Sequence, residues 1–145
     1  MQRTASLEPE QRRQLIRAAI DNLENSYAPY SKFNVSAAVL TASGNVYTGV
    51  NVENASYPAG MCAEKNAVGH AVNAGERKII AAAIVGGHHH NVQDYCMPCG
   101  ICRQIMREFS DPKRMRVIVA KSVTDFREMT LEELLPESFG PEALQ

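Results

Sequence analysis

The stretch that decides the fold reads Cys62-Ala63-Glu64, and it has to be taken together with Pro98-Cys99-Gly100-Ile101-Cys102 further along the chain. Together they offer three thiols and one carboxylate, and they must meet in space for those groups to act together. Three soft ligands with one position left open describe a catalytic zinc, whereas a structural zinc is usually closed by a fourth protein ligand. Glu64 lies two residues beyond Cys62, so on a helix it is turned round the axis from it and reaches the side where a water would sit. A metal-bound water beside a carboxylate is the apparatus of hydrolytic attack on an electron-poor carbon.

Both stretches open helices. The spacing predicts a helix from about 62 to 74, with Ala63, Ala67, Val68, Ala71 and Val72 on its packed face and Gly75 ending it. A second runs from about 99 to 109, with Ile101, Ile105 and Met106 facing the core. Each helix thereby aims its positive end at the thiols, and the dipole favours a thiolate at Cys62. Three thiolates leave a zinc with excess negative charge, which helix termini and cations such as Arg103 or Lys65 would offset. Residues 79 to 85 form a continuous apolar run, expected of a buried central strand. Gly86-Gly87 and His88-His89-His90 after it read as a solvated loop, and His70 as a packing or surface histidine.

Outward from this centre, residues 8 to 25 form an amphipathic helix through Leu15, Ile16, Ala19, Ile20 and Leu23, with Ser6 as N-cap and Pro9 in the first turn. Pro29 breaks it within Tyr27-Ala28-Pro29-Tyr30-Ser31-Lys32-Phe33, whose aromatics are core plugs or a ligand wall. Residues 34 to 41 and 45 to 52 make a hairpin about Ser43-Gly44-Asn45. Period-two alternation sets Asn51 and Glu53 on one face, as a solvated strand end or a polar clamp. Strands follow at 115 to 120 and 126 to 129, then a short helix with a capping box from Thr130 to Glu133, stopped by Pro136. This order predicts one α/β domain over 1 to 145, layered α/β/α, with a mixed sheet of about five strands and helices on both faces.

A length of 145 residues buries a core without disulfide support. Hydrophobic residues at 45% and charged residues at 21% are ordinary for a globular protein. The net charge of −1 supplies no basic field, so nucleic acid is not an expected partner. No apolar run is long enough to cross a bilayer and residues 1 to 10 are polar, so a cytoplasmic protein is expected. In that compartment four clustered cysteines read as metal ligands or reactive thiols rather than disulfides.

The residues match a known pattern along nearly the whole chain. Tyr27 to Phe33, Asn51-Val52-Glu53-Asn54-Ala55, Cys62-Ala63-Glu64, Pro98 to Gln104 and Glu133-Leu134-Leu135-Pro136 together resemble the small, homotetrameric, zinc-dependent cytidine deaminases. The cysteine and glutamate signature, with its all-cysteine ligand variant, is that of the zinc deaminases. The resemblance implies hydrolytic deamination of cytidine and 2′-deoxycytidine in pyrimidine salvage. It implies one zinc per subunit on Cys62, Cys99 and Cys102, with Glu64 moving protons between water, N3 of the base and the departing ammonia. It implies that Phe33 stacks on the base, the Ala63 N–H binds the base carbonyl, and Asn51 and Glu53 hold the ribose hydroxyls. Ala55, Tyr57 and Phe139 match positions that reach a neighbouring subunit's site, so the sites would be shared within a homotetramer.

The chain departs from the family pattern at Lys65, where an arginine is common, at the extra thiol Cys96, at Met97, and in the length of the His88 to His90 loop. Cys96, Cys99 and Cys102 also read as C-x2-C-x2-C, the start of an iron–sulfur run that lacks its closing Cys-Pro. A closed zinc on all four cysteines is a further rival, and a blasticidin-type deaminase is another. The first two leave Glu64, Asn51 and Glu53 without a role.

Overall fold

The computed structural model describes residues 7 to 145. The first helix, α1 (Pro9–Asn22), begins where Pro9 presets the backbone, and the Glu8 N–H donates to the Gln11 side chain at 3.1 Å. Ser6, the expected cap, lies outside the described residues. Leu15, Ile16 and Ala19 are its buried stripe, and Leu23 continues it in a short 3-10 turn.

The hairpin follows as β1 (Phe33–Thr41) and β2 (Val46–Val50), with Gly44 in the turn at φ 92°. Next come α2 (Ala63–Asn73), β3 (Ile79–His88), α3 (Gly100–Glu108), β4 (Arg116–Ala120), β5 (Phe126–Thr130) and the single turn α4 (Leu131–Leu134). The five strands lie in the order β2-β1-β3-β4-β5. β3 and β4 are parallel, joined across α3, and the other pairs are antiparallel. This is the expected mixed sheet in an α/β/α sandwich. α1 covers one face over Ala38, Leu40, Ala81, Ala83, Val85, Ile118 and Ala120. α2, α3 and α4 cover the other over Ala37, Val39, Ala82, Ile84, Val117 and Val119. Strand alternation accounts for the division, since neighbouring side chains point to opposite faces.

Gly49 on β2 lies directly under α2. A Cβ there would come within 2.3 Å of the Ala67 nitrogen and 2.7 Å of the Ala63 oxygen. Glycine therefore lets the first turns of α2 settle on the sheet, and that fixes the height of Cys62 and Glu64 above it.

Two expectations are corrected. β3 does not stop at Val85. Gly86, Gly87 and His88 still pair with Val35, Asn34 and Phe33, because β1 supplies backbone partners to its very first residue. The loop is thus shorter than the sequence suggested, and only His89 and His90 of the triplet lie outside the strand. On α3, Ile101 does not face the core but is 69% exposed. The inward stripe runs through Cys102 and Met106, one turn apart, so Ile101 is rotated outward from it.

Candidate active site

Cysteine is a poor residue for starting a helix, yet both α2 and α3 start on one. Cys62 and Cys99 hold extended backbone at the two N-caps, and neither side chain makes a capping hydrogen bond. Their sulfurs are therefore not engaged with the helix ends, while the first-turn N–H groups and both dipoles still point at the same place. Cys102 sits in the first turn of α3, fully buried.

The ligand atoms of Cys62, Glu64 and Cys102 all lie within 4.8 Å of one another. The Cys62 and Cys102 sulfurs are in direct contact and joined as a disulfide, which differs from the expectation of separate thiols. Their Cα atoms are 7.1 Å apart, beyond the roughly 4.4–6.8 Å usual for a disulfide. Two soft sulfurs, a carboxylate and two helix N-termini at one point suit a thiophilic divalent cation such as Zn²⁺. Cys99 lies outside that cluster, free and exposed, but on the wall of the same cavity.

That cavity, of about 360 Å³, opens beside the carboxyl end of β3 and the first residues of β1. Phe33, Asn51, Glu53, Cys62, Ala63, Glu64, Cys99 and Cys102 all line it. Ala63 is the first residue of α2, so its N–H has no acceptor within the helix. Phe33 packs edge-on against His88, with ring centroids 5.0 Å apart. Ala55, Tyr57 and Phe139 do not line this cavity. Tyr57 lines a neighbouring hollow of about 310 Å³ with Tyr30, Ser31, Glu53, Asn54 and Gly60. Phe139 is 61% exposed on the tail, where its carbonyl accepts a bond from Gln104 Nε2 at 3.0 Å. The sequence reading did not include Val35, Val52, Gly60 and Met61 among the lining residues, because nothing in their side chains signals chemistry.

Asn51 and Glu53 are both occupied by the chain's own groups. Asn51 Oδ1 accepts from the Val35 N–H at 2.9 Å and from the Ser26 hydroxyl, and Asn51 Nδ2 donates to the Phe33 carbonyl at 2.8 Å. Glu53 accepts from the Tyr30 and Ser31 N–H groups, each at 3.0 Å, and from the Ser31 hydroxyl. The Ser31 hydroxyl above all, with these N–H groups, holds the Glu53 carboxyl below the usual range. Glu53 thus pins the turn before β1 and stays ionised.

Of the two cations expected to compensate the thiolates, Arg103 is engaged elsewhere. Lys65 is exposed. Arg103 donates to the Pro98 and Leu134 carbonyls, each at 2.7 Å, and so ties the loop before α3 to the end of α4. The two helix ends also bring positive partial charge to the site. Cys96 lines the cavity, but burial, and secondarily the Glu64 charge, push its thiol up to about 12. A closed four-cysteine centre or a C-x2-C-x2-C cluster would leave Glu64, which stands within 4.8 Å of the Cys62 and Cys102 sulfurs, without a role. His70 packs edge-on against Tyr47 at 5.3 Å with a contact to the Thr48 carbonyl, far from the cluster along α2, in keeping with a packing role. Among the described residues no helix is long and apolar enough to cross a membrane.

The family model described as the cytidine and deoxycytidylate deaminase zinc-binding region matches residues 9 to 120. The cytidine deaminase of Halalkalibacterium halodurans is 41% identical over 131 residues, spanning 90% of this chain and 96% of that one. That of Mycobacterium tuberculosis is 39% identical over 115 residues, 79% of each chain. Among solved structures, cytidine deaminase from Burkholderia pseudomallei superposes with a TM-score of 0.77 at 42% identity, covering 87% of this chain and 97% of that one.

Glu64 is 4% exposed, and burial lifts its carboxyl above the usual range, with a smaller opposing pull from its own backbone N–H. A raised folded pKa means that stability is lost as pH rises from the unfolded value through the folded one. In metal-free, reduced protein at pH 7, Glu64→Gln is therefore expected to stabilise, seen as a higher Tm than wild type. The gain should vanish as pH falls towards the unfolded carboxyl value near about 4.3. Calorimetry across that range checks it, and a variant less stable than wild type at pH 7 contradicts it.

Proposed function

The chain belongs to the family of zinc-dependent cytidine and deoxycytidylate deaminases, and from that premise we propose that it hydrolyses cytidine and 2′-deoxycytidine to uridine and 2′-deoxyuridine with release of ammonia. The observation that carries this reading is the meeting of Cys62, Cys102 and Glu64 within 4.8 Å at two helix N-termini. In this reading Cys62, Cys99 and Cys102 hold the zinc, which when bound makes a water acidic enough to supply the nucleophile near neutral pH. Glu64 carries one proton to N3 of the pyrimidine and another to the departing amine nitrogen. Its burial suits the task, because a carboxyl 4% exposed is screened from bulk water. The Ala63 N–H binds the base carbonyl, Phe33 stacks on the ring, and Asn51 and Glu53 hold the sugar hydroxyls. Asn51 has one Nδ2–H left for this, and the ionised Glu53 accepts. Such chemistry fits pyrimidine salvage, and a reducing cytoplasm suits a site that needs free thiols.

The reading extends to a homotetramer with shared sites. Tyr27, Tyr30, Tyr57, Met97, Ile101 and Phe139 are exposed, and of these Tyr30, Tyr57 and Met97 line the cavity or the hollow beside it. Ala55, Tyr57 and Phe139, lying outside their own chain's cavity, remain available to a neighbour's. Subunits dissociated to monomers are expected to lose turnover, and fully active monomers would contradict shared sites.

The direct test measures ammonia release from cytidine by zinc-loaded protein, with Glu64→Ala beside it. The expected loss is roughly 10²–10⁴-fold in kcat with zinc content unchanged, the usual worth of a general acid–base group. Zinc lost together with activity would make Glu64 a ligand and overturn its assigned role.

A further inference from the structure

Asn51 is not held by chance. Its amide orientation follows from partners that have no choice: the Val35 N–H can only donate, so Oδ1 must face it, and the Phe33 carbonyl can only accept, so Nδ2 must face that. The Ser26 hydroxyl, in contact with Oδ1, must then be the donor in that bond. Its lone pairs accept from Asn34 Nδ2 at 3.0 Å. Asn34 Oδ1 in turn accepts from the His90 backbone N–H at 2.9 Å, which fixes that amide as well.

The result is a chain of hydrogen bonds with one direction, from His90 through Asn34 and Ser26 to Asn51. Asn34 and Ser26 are buried, at 4% and 9% exposure, so water does not readily replace a missing member. The far end is anchored too. His89 and His90 both take left-handed backbone, at φ 54° and 62°, which persists only where surrounding bonds impose it. The His89 N–H donates to the Lys32 carbonyl at 2.8 Å and the Asn91 N–H to the His88 carbonyl at 2.9 Å. The histidine loop therefore presents a backbone donor to Asn34.

We infer that Ser26 is a positioning residue for the sugar: its hydroxyl, oriented through Asn34 by the His90 N–H, holds the Asn51 carboxamide so that one Nδ2–H is left for the cavity that Asn51 lines. This rests on the reading of Asn51 as a sugar-hydroxyl contact, and the test separates the two.

The experiment compares kcat and KM for cytidine and 2′,3′-dideoxycytidine in zinc-loaded wild type, Ser26→Ala, Ser26→Thr, Asn34→Asp and Asn51→Ala. Ser26→Ala is expected to lower kcat/KM for cytidine roughly three- to tenfold, mainly through KM, the worth of one ordinary hydrogen bond. The dideoxy analogue, lacking the hydroxyls, should change less than about twofold. Ser26→Thr keeps the hydroxyl and should restore the preference for cytidine. Asn34→Asp replaces a donor by an acceptor, draws the Ser26 proton away from Asn51, and should weaken the same preference with the Ser26 hydroxyl still present. In an Asn51→Ala background, Ser26→Ala should have no further effect on the preference. If Asn51→Ala abolishes the preference while Ser26→Ala and Asn34→Asp leave it intact, the inference is overturned and the sugar reading stands. If Asn51→Ala leaves the preference intact, or the wild type shows none, both fall. Variants that lose Tm but keep the wild-type ratio of the two substrates reduce the chain to a structural role, and that too overturns it.

Discussion

Two helices start at one point, and each starts on a cysteine. Everything else at the site depends on that convergence. A helix N-terminus offers unsatisfied N–H groups and a positive partial charge, so anionic sulfur is stabilised there without a counter-cation. This matters because Arg103, a cation close to the ligands in sequence, is committed to two carbonyls. The sheet sets the convergence. Gly49 brings α2 down onto β2, and α3 lies in the crossover between the parallel strands β3 and β4.

The polar wall of the cavity is built on a different principle. Asn51 and Glu53 are tied down by the chain before they meet any ligand. Groups already oriented lose little freedom on binding, so what they contribute goes to selectivity. Glu53 organises the turn before β1, and Asn51 stitches β1 to the residues before it. The same bonds thus maintain the local fold and preset the site, which is why a substitution there tests both.

Much of this was legible in the sequence because it rests on local pattern. The stripe Leu15, Ile16, Ala19 follows a helical period, the run from Ile79 marks a central strand, and Thr130 with Glu133 spells a capping box that is present. The cysteine and glutamate spacing pointed to residues that share one cavity. What escaped the sequence depends on partners far along the chain. Gly86 to His88 carry no strand signal of their own and pair only because β1 reaches them. Ile101 shares with Ile105 the i, i+4 spacing of an inward face, yet it sits exposed in the first turn of α3. Ser26 and Asn34 gave no signal, since the meaning of a serine and an asparagine here lies in Asn51 and His90, 25 and 56 residues away from them respectively.

The proposed centre is one zinc on three thiolates at the two cysteine-capped helices, with a position left open. X-ray absorption at the zinc edge of the purified, reduced protein tests it directly. Three sulfur scatterers at about 2.3 Å and one lighter neighbour at about 2.0–2.2 Å are expected. Four sulfurs would mean that Cys96 closes the site, and retention of the Cys62–Cys102 disulfide with no zinc bound would mean that the convergence serves a covalent link instead of a metal.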